Sequence, residues 1–211
     1  MRPGPLSTEH LRSELLITLA AITWLGCVSL VAGTLIAPFY VPNYDWVADT
    51  ISDLAAGETE IIMDIALYGY AAALFAAAIG AGHLHLGGNG WSVGTLSLAL
   101  LAATVIVVGA RNEYGDDDSD GIVIHVYLTY ILGVFFALGP LVMAPGAGHA
   151  GRGWRWVFLF AGIAWAILAP IFYFLPTHID GVYERMLGGI TLVWLGALGW
   201  IFLRQGLSLR P

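Results

Sequence analysis

Lysine is absent from this sequence. All eight residues of the Lys+Arg class are arginines: Arg2, Arg12, Arg111, Arg152, Arg155, Arg185, Arg204 and Arg210. That absence excludes Schiff-base chemistry, a retinal pigment included. Cysteine occurs once, as Cys27, which excludes a disulfide framework, a Cys-rich zinc site and a two-thiol redox centre. Charge of either sign is scarce. Only 11% of the residues are charged, against about a quarter in a soluble domain. The net charge of −7 disfavours nucleic acid as a partner. What the chain has instead is apolar mass: 58% of its 211 residues are hydrophobic and the mean hydropathy is +0.79. These properties describe an integral membrane protein.

A membrane-spanning helix needs about 20 mostly apolar residues, because 1.5 Å per residue must cover roughly 30 Å of hydrocarbon. Six runs meet that length: Leu15–Ile36, Ile61–Gly82, Trp91–Ala110, Ile122–Met143, Trp154–Leu175 and Met186–Leu203. They are continuously apolar rather than alternating, so they predict helices and not barrel strands. The first run is too long for a signal peptide and follows an acidic as well as a basic flank, so it is read as a membrane helix. The expected fold is an all-α bundle of six transmembrane helices, residues 15–203. A short amphipathic interfacial helix is expected between helices one and two. Residues 1–14 and 204–211 form cytoplasmic ends.

Arginine sets the expected orientation. With the amino terminus inside, six arginines are cytoplasmic and only Arg111 and Arg185 lie outside. Both termini are then cytoplasmic in a multi-pass plasma membrane protein. Thirteen of the fifteen acids fall on the outer side, leaving Glu9 and Glu14 inside. An acid-rich face with arginine in place of lysine fits a halophilic, archaeal plasma membrane, where salt screens the repulsion. The inner turns Gly88-Asn89-Gly90-Trp91 and Gly151-Arg152-Gly153-Trp154 share a pattern that sets tryptophan at the interface. Gly69, Ala73, Ala77 and Ala81 form a small-residue face, expected to pack inside the bundle.

The midplane carries no charge, which removes the usual polar path of transporters and channels. His83 and His85 sit at the inner end and His125 near the outer end, so no histidine pair faces a haem. No cofactor is expected. Polar chemistry gathers at the outer ends. Asp45, Asp49 and Asp53 recur at i, i+4 and i+8, with Val47, Ile51 and Leu54 opposite. That pattern predicts an interfacial helix of about three turns ended by Gly57. Ser52 lies on its acidic face, and a solvated face is the commoner reading there than catalysis. In the second outer loop Asp116, Asp118, Asp120 and Gly121 match positions 1, 3, 5 and 6 of a calcium loop, but position 12 is Tyr127 instead of Glu. His125, one turn into helix four, is read either as a structural hydrogen-bonding group or as a base or metal ligand. Arg185 is expected to pair with a carboxylate, Asp53 or Glu184, or to hold a phosphate or carboxylate headgroup.

Ser52-Asp53-Leu54 before helix two, His125 at the head of helix four and Glu184-Arg185 at the head of helix six resemble the membrane family known as domain of unknown function 998. The resemblance spans nearly the whole chain and implies the six-helix fold. It departs after helix three, where the family pattern has an aromatic–proline pair and this chain has Gly109-Ala110-Arg111. The family is distantly similar to a group containing autophagy modulators and a GPI-anchor remodelling protein, and that similarity implies lipid-related work. Two readings follow. One is a non-enzymatic membrane protein whose outer polar cluster binds a lipid headgroup. The alternative is a lipid-directed hydrolase or transferase in which Ser52 or a metal-bound water attacks, His125 acts as base, Asp53 and Glu184 orient or ligate, and Arg185 holds phosphate. Membrane lipid is the partner in both.

Overall fold

The computed structural model describes residues 11–55, 60–110 and 124–210. Among these residues there are seven α-helices and no strands: α1 Ser13–Ile36, α2 Ile51–Leu54, α3 Glu60–Leu84, α4 Gly88–Ala110, α5 Ile124–Ala150, α6 Arg152–Phe172 and α7 Asp180–Ser208. Six are long and apolar enough to cross a membrane, α2 being the exception. The chain is a multi-pass membrane protein. Neighbours in sequence pack as neighbours in space, and α7 returns to α1, so the six long helices close a ring. The start of α1 and the end of α7 are tied by Ser13 Oγ donating to the Gly206 carbonyl at 2.7 Å. The start of α1 and the end of α7 therefore lie at one end of the bundle, called proximal here, and α2 lies at the distal end.

Small residues set the closest approaches. A Cβ on Gly26 of α1 would lie 2.2 Å from the Gly69 carbonyl oxygen, and one on Gly69 would lie 2.4 Å from Ser29 Oγ. Ala73, Ala77 and Ala81 are fully buried. The small-residue face of α3 is thus internal packing, as van der Waals contact in lipid requires. In mid-bundle, Trp194 of α7 wedges against α5 and α6. Its ring centroid is 6.4 Å from that of Phe136 and 6.5 Å from that of Phe158, both edge-on. A Cβ on Gly139 would meet the indole at 2.5 Å.

Helix limits differ from the apolar runs in an instructive way. α5 continues through Pro145 to Ala150, seven residues past Met143, which ends the apolar run. Pro-Gly there reads as turn chemistry, but Ala144 and Ala147 are fully buried and Gly146 packs on the Trp91 ring, which holds the turn helical. α7 starts at Asp180, six residues before the apolar run, because Glu184 and Arg185 find polar partners within the protein. The helix between the first two spans is present but is a single turn rather than three. Asp45 Oδ1 accepts from the Val47 N–H at 2.9 Å, and Asp49 Oδ2 accepts from the Asp45 N–H at 2.7 Å. Such side-chain bonds offer the backbone an alternative to helix. Helix begins only at the Thr50 cap, where Thr50 and Asp53 form a capping box.

Candidate functional site

The segment Tyr44–Thr50 is docked on the first turn of α7. The Gly181 and Val182 N–H groups, which a helix start leaves without internal partners, donate to the Ala48 and Val47 carbonyls, each at 3.1 Å. Gly181 permits this contact, since a Cβ there would lie 2.1 Å from the Asp49 carbonyl oxygen. Arg185, one turn further, completes the joint. Its Nη1 donates to the carbonyls of Gly181 at 2.7 Å, Asp49 at 3.0 Å and Trp46 at 3.2 Å. Its Nη2 donates to the Tyr44 hydroxyl. The guanidinium carbon lies 4.8 Å from the Trp46 ring centroid and 5.6 Å from that of Tyr44, within cation–π range. Burial raises the Tyr44 phenol above its ordinary pKa against the opposing pull of Arg185.

Arg185 is therefore held by carbonyl oxygens and aromatic faces, in place of the carboxylate partner read from the sequence. The physical reason is the joint itself: three backbone carbonyls converge on Nη1, whose two N–H groups serve them with one bond shared. Asp53 is exposed and turns back on its own helix. Its Oδ2 accepts from the Thr50 N–H at 2.6 Å and from Thr50 Oγ1 at 2.7 Å.

Glu184 faces the other way. Its Oε2 accepts from the Ile51 N–H and its Oε1 from Ser52 Oγ at 3.3 Å, so α2 is fastened to α7 by one carboxylate. Beyond that fastening lies a cavity of about 710 Å³ lined by residues of all seven helices, most of them from α5, α6 and α7. Ser52, His125 and Glu184 all line it. Asp53 and Arg185 do not. Three of the five polar residues singled out in the sequence are thus brought to one cavity and two are placed outside it. His125 is buried, 6% exposed, on the first turn of α5.

The rest of the cavity is apolar and aromatic, with Phe136, Trp165 and Phe172 in its wall. Two hydroxyl pairs also line it. Tyr70 donates to Thr191 Oγ1 at 2.7 Å and Tyr173 donates to Thr129 Oγ1 at 2.9 Å. These four residues have no sequence signal, because lone hydroxyls in apolar helices carry no pattern. The cavity is open at its side: Tyr130 and Val134 in its wall are exposed on the flank of α5. Val134 lies ten residues into α5, or roughly 15 Å along the axis. The exposed part of the wall therefore extends along the apolar length of α5.

The remaining polar residues take different places. His178 and Asp53 border a shallow distal cleft with Asp49 and Asp180, outside the main cavity. Asp116, Asp118 and Asp120 lie outside the described residues. Among the described residues no group of three His, Cys, Asp or Glu side chains could hold a metal ion. At the proximal end His83 Nε2 accepts from the Arg12 N–H at 3.0 Å, and His149 Nδ1 is 2.7 Å from the Leu86 carbonyl, so both brace turns.

A family model described as protein of unknown function (DUF998) matches residues 24–201, which is most of the chain. The chain belongs to the DUF998 family. The match runs from the middle of α1 to Ile201, seven residues before the end of α7, and takes in α2, His125 and the Glu184-Arg185 pair. This DUF998 member therefore has the cavity and the α2–α7 joint wholly within the family region. Comparison with curated proteins and with solved structures gave no match.

Proposed function

We propose that this DUF998 protein binds a membrane lipid in the distal cavity, chains along the aromatic wall and headgroup at Ser52, His125 and Glu184. The single observation that carries the reading is the composition of the cavity. A space of about 710 Å³, within the usual roughly 300–1,000 Å³ of ligand sites, is apolar over most of its wall and, among the described residues, has its one carboxylate and its one imidazole at the distal end. That gradient is the shape of a lipid. The polar end holds Ser52, His125 and Glu184, three of the residues on which the family resemblance rests. In the same reading the protein lies in an archaeal plasma membrane with both termini cytoplasmic, so the cavity opens to the outer leaflet, as the arginine distribution supports.

The cavity also sustains the enzymatic alternative in reduced form. Ser52 hydroxyl, Glu184 carboxylate and His125 imidazole share one wall, the set a lipid hydrolase would use. Arg185 is then a positioning residue that holds the α2 segment, with no part in phosphate binding. Ser52 is hydrogen-bonded to a carboxylate and not to an imidazole, which favours binding over attack.

Gly188 gives the test. It lines the cavity, and a Cβ there would meet nothing within 4 Å. Gly188→Phe should fill the cavity and leave the fold intact. Native mass spectrometry of protein extracted in mild detergent should show a retained lipid on the wild type and none on this variant. Equal lipid retention by both would remove the cavity as the site.

A further inference from the structure

We propose that the cavity selects a lipid whose headgroup bears hydrogen-bond donors and no negative charge, and that it rejects phosphorylated headgroups; this rests on the lipid-binding reading above. The residues at the polar end decide the sign. Glu184 supplies the cavity with a carboxylate, and no arginine lines the cavity among the described residues. Lysine is absent from the whole chain. Arg185, adjacent in sequence to Glu184, is turned away, with its two Nη atoms given to three carbonyls and a phenol. An anionic phosphate in this space would meet a carboxylate with no arginine or lysine among the described residues of the wall to offset it, in surroundings where charges are poorly screened.

The same group welcomes a donor. A carboxylate offers about four acceptor sites, and Glu184 accepts from the Ile51 N–H, from Ser52 Oγ at 3.3 Å and from the Ser52 N–H. About one acceptor site is left over, on a residue that lines the cavity. Thr129 and Thr191 oxygens, each already accepting from a tyrosine hydroxyl, add further partners for a headgroup hydroxyl deeper in the wall. The selection works by excluding the wrong headgroup as much as by binding the right one.

The test uses two probes that differ only in the phosphate: diacylglycerol and phosphatidic acid with identical chains. Delipidated full-length protein in detergent is offered both at equal concentration, and bound lipid is counted by native mass spectrometry. Diacylglycerol should exceed phosphatidic acid at least tenfold. Glu184→Gln, which removes the charge and keeps an acceptor oxygen, should cut that ratio to near unity. Asp53→Asn, an exposed acid outside the cavity, should leave it unchanged. Equal or greater retention of phosphatidic acid by the wild type would overturn the selectivity while the cavity still holds lipid. Retention of neither probe would overturn the lipid-binding reading on which it rests. The wild-type ratio alone decides the matter if Glu184→Gln fails to fold.

Discussion

Replacing Arg185 with alanine separates two accounts of the distal end. In the structure its Nη1 serves three carbonyls between 2.7 and 3.2 Å, and its plane covers Trp46 and Tyr44. Hydrogen bonds to a charged group contribute about 1.5–3 kcal/mol each when well formed. Cation–π contact adds about 0.5–1 kcal/mol at exposed sites. Arg185 is half-buried and water replaces part of what is lost, so a total near 3 kcal/mol is expected, not the sum. The loss is local. The Gly181 and Val182 N–H bonds to Ala48 and Val47 should open more often, by about 150-fold if 3 kcal/mol is lost. Hydrogen–deuterium exchange in detergent reads those amides directly. Arg185→Lys should recover less than half of the protection, because an ammonium lacks the planar fork and stacks poorly. Asp53→Asn should cost under about 0.5 kcal/mol, since asparagine keeps an acceptor for the Thr50 cap. If Asp53→Asn exposes these amides as much as Arg185→Ala does, a carboxylate pairs with the arginine and the carbonyl cradle is wrong.

Gly181→Ala should undock the same segment, since its Cβ would lie 2.1 Å from a backbone oxygen that has little room to move; exchange at Gly181 and Val182 should rise while α3 and α4 keep their protection. The Tyr44 phenol, its pKa raised by burial, favours the neutral form when docked, so the joint should hold below about pH 10 and loosen as pH rises further. A Tyr44→Phe difference titration at 295 nm should place that tyrosinate above the ordinary range, and a value below it would contradict the docked geometry. The thirteen carboxylates assigned to the outer side should repel at low ionic strength, where the Debye length is about 30 Å at 0.01 M. Melting temperature should rise with salt into the molar range, and a flat response would remove the halophilic reading. Asp118→Cys in a Cys27→Ser background should react with an impermeant thiol reagent on intact cells, whereas labelling of Arg152→Cys instead would invert the orientation.

The bundle was legible because lipid enforces it: six long apolar runs leave helices as the only way to satisfy the backbone. The convergence of Ser52, His125 and Glu184 was legible from topology, since all three stand at distal helix ends. Their grouping with Asp53 and Arg185 was not. Charge complementarity points Arg185 at an acid, but backbone carbonyls carry no sequence signal, and three of them converge where Tyr44–Thr50 meets α7. The same segment looked helical by its i, i+4 aspartates. Those aspartates bond instead to backbone N–H groups within the turn, which competes with helix in a way that periodicity does not register. The cavity was invisible for a different reason. It is lined by residues of helices far apart in the chain, α1 and α7 among them, and a space of that kind depends on how distant side chains fit together.

A structure of the protein in lipid nanodiscs tests the central claim most directly. The account predicts chain-shaped density between α5 and α7 on the distal side of Trp194, ending in a headgroup within hydrogen-bond distance, roughly 2.7–3.2 Å, of Glu184 or Ser52. A distal half in which α5 closes onto α7 and the cavity is filled by side chains, with lipid only on the outer flanks of the bundle, would contradict it.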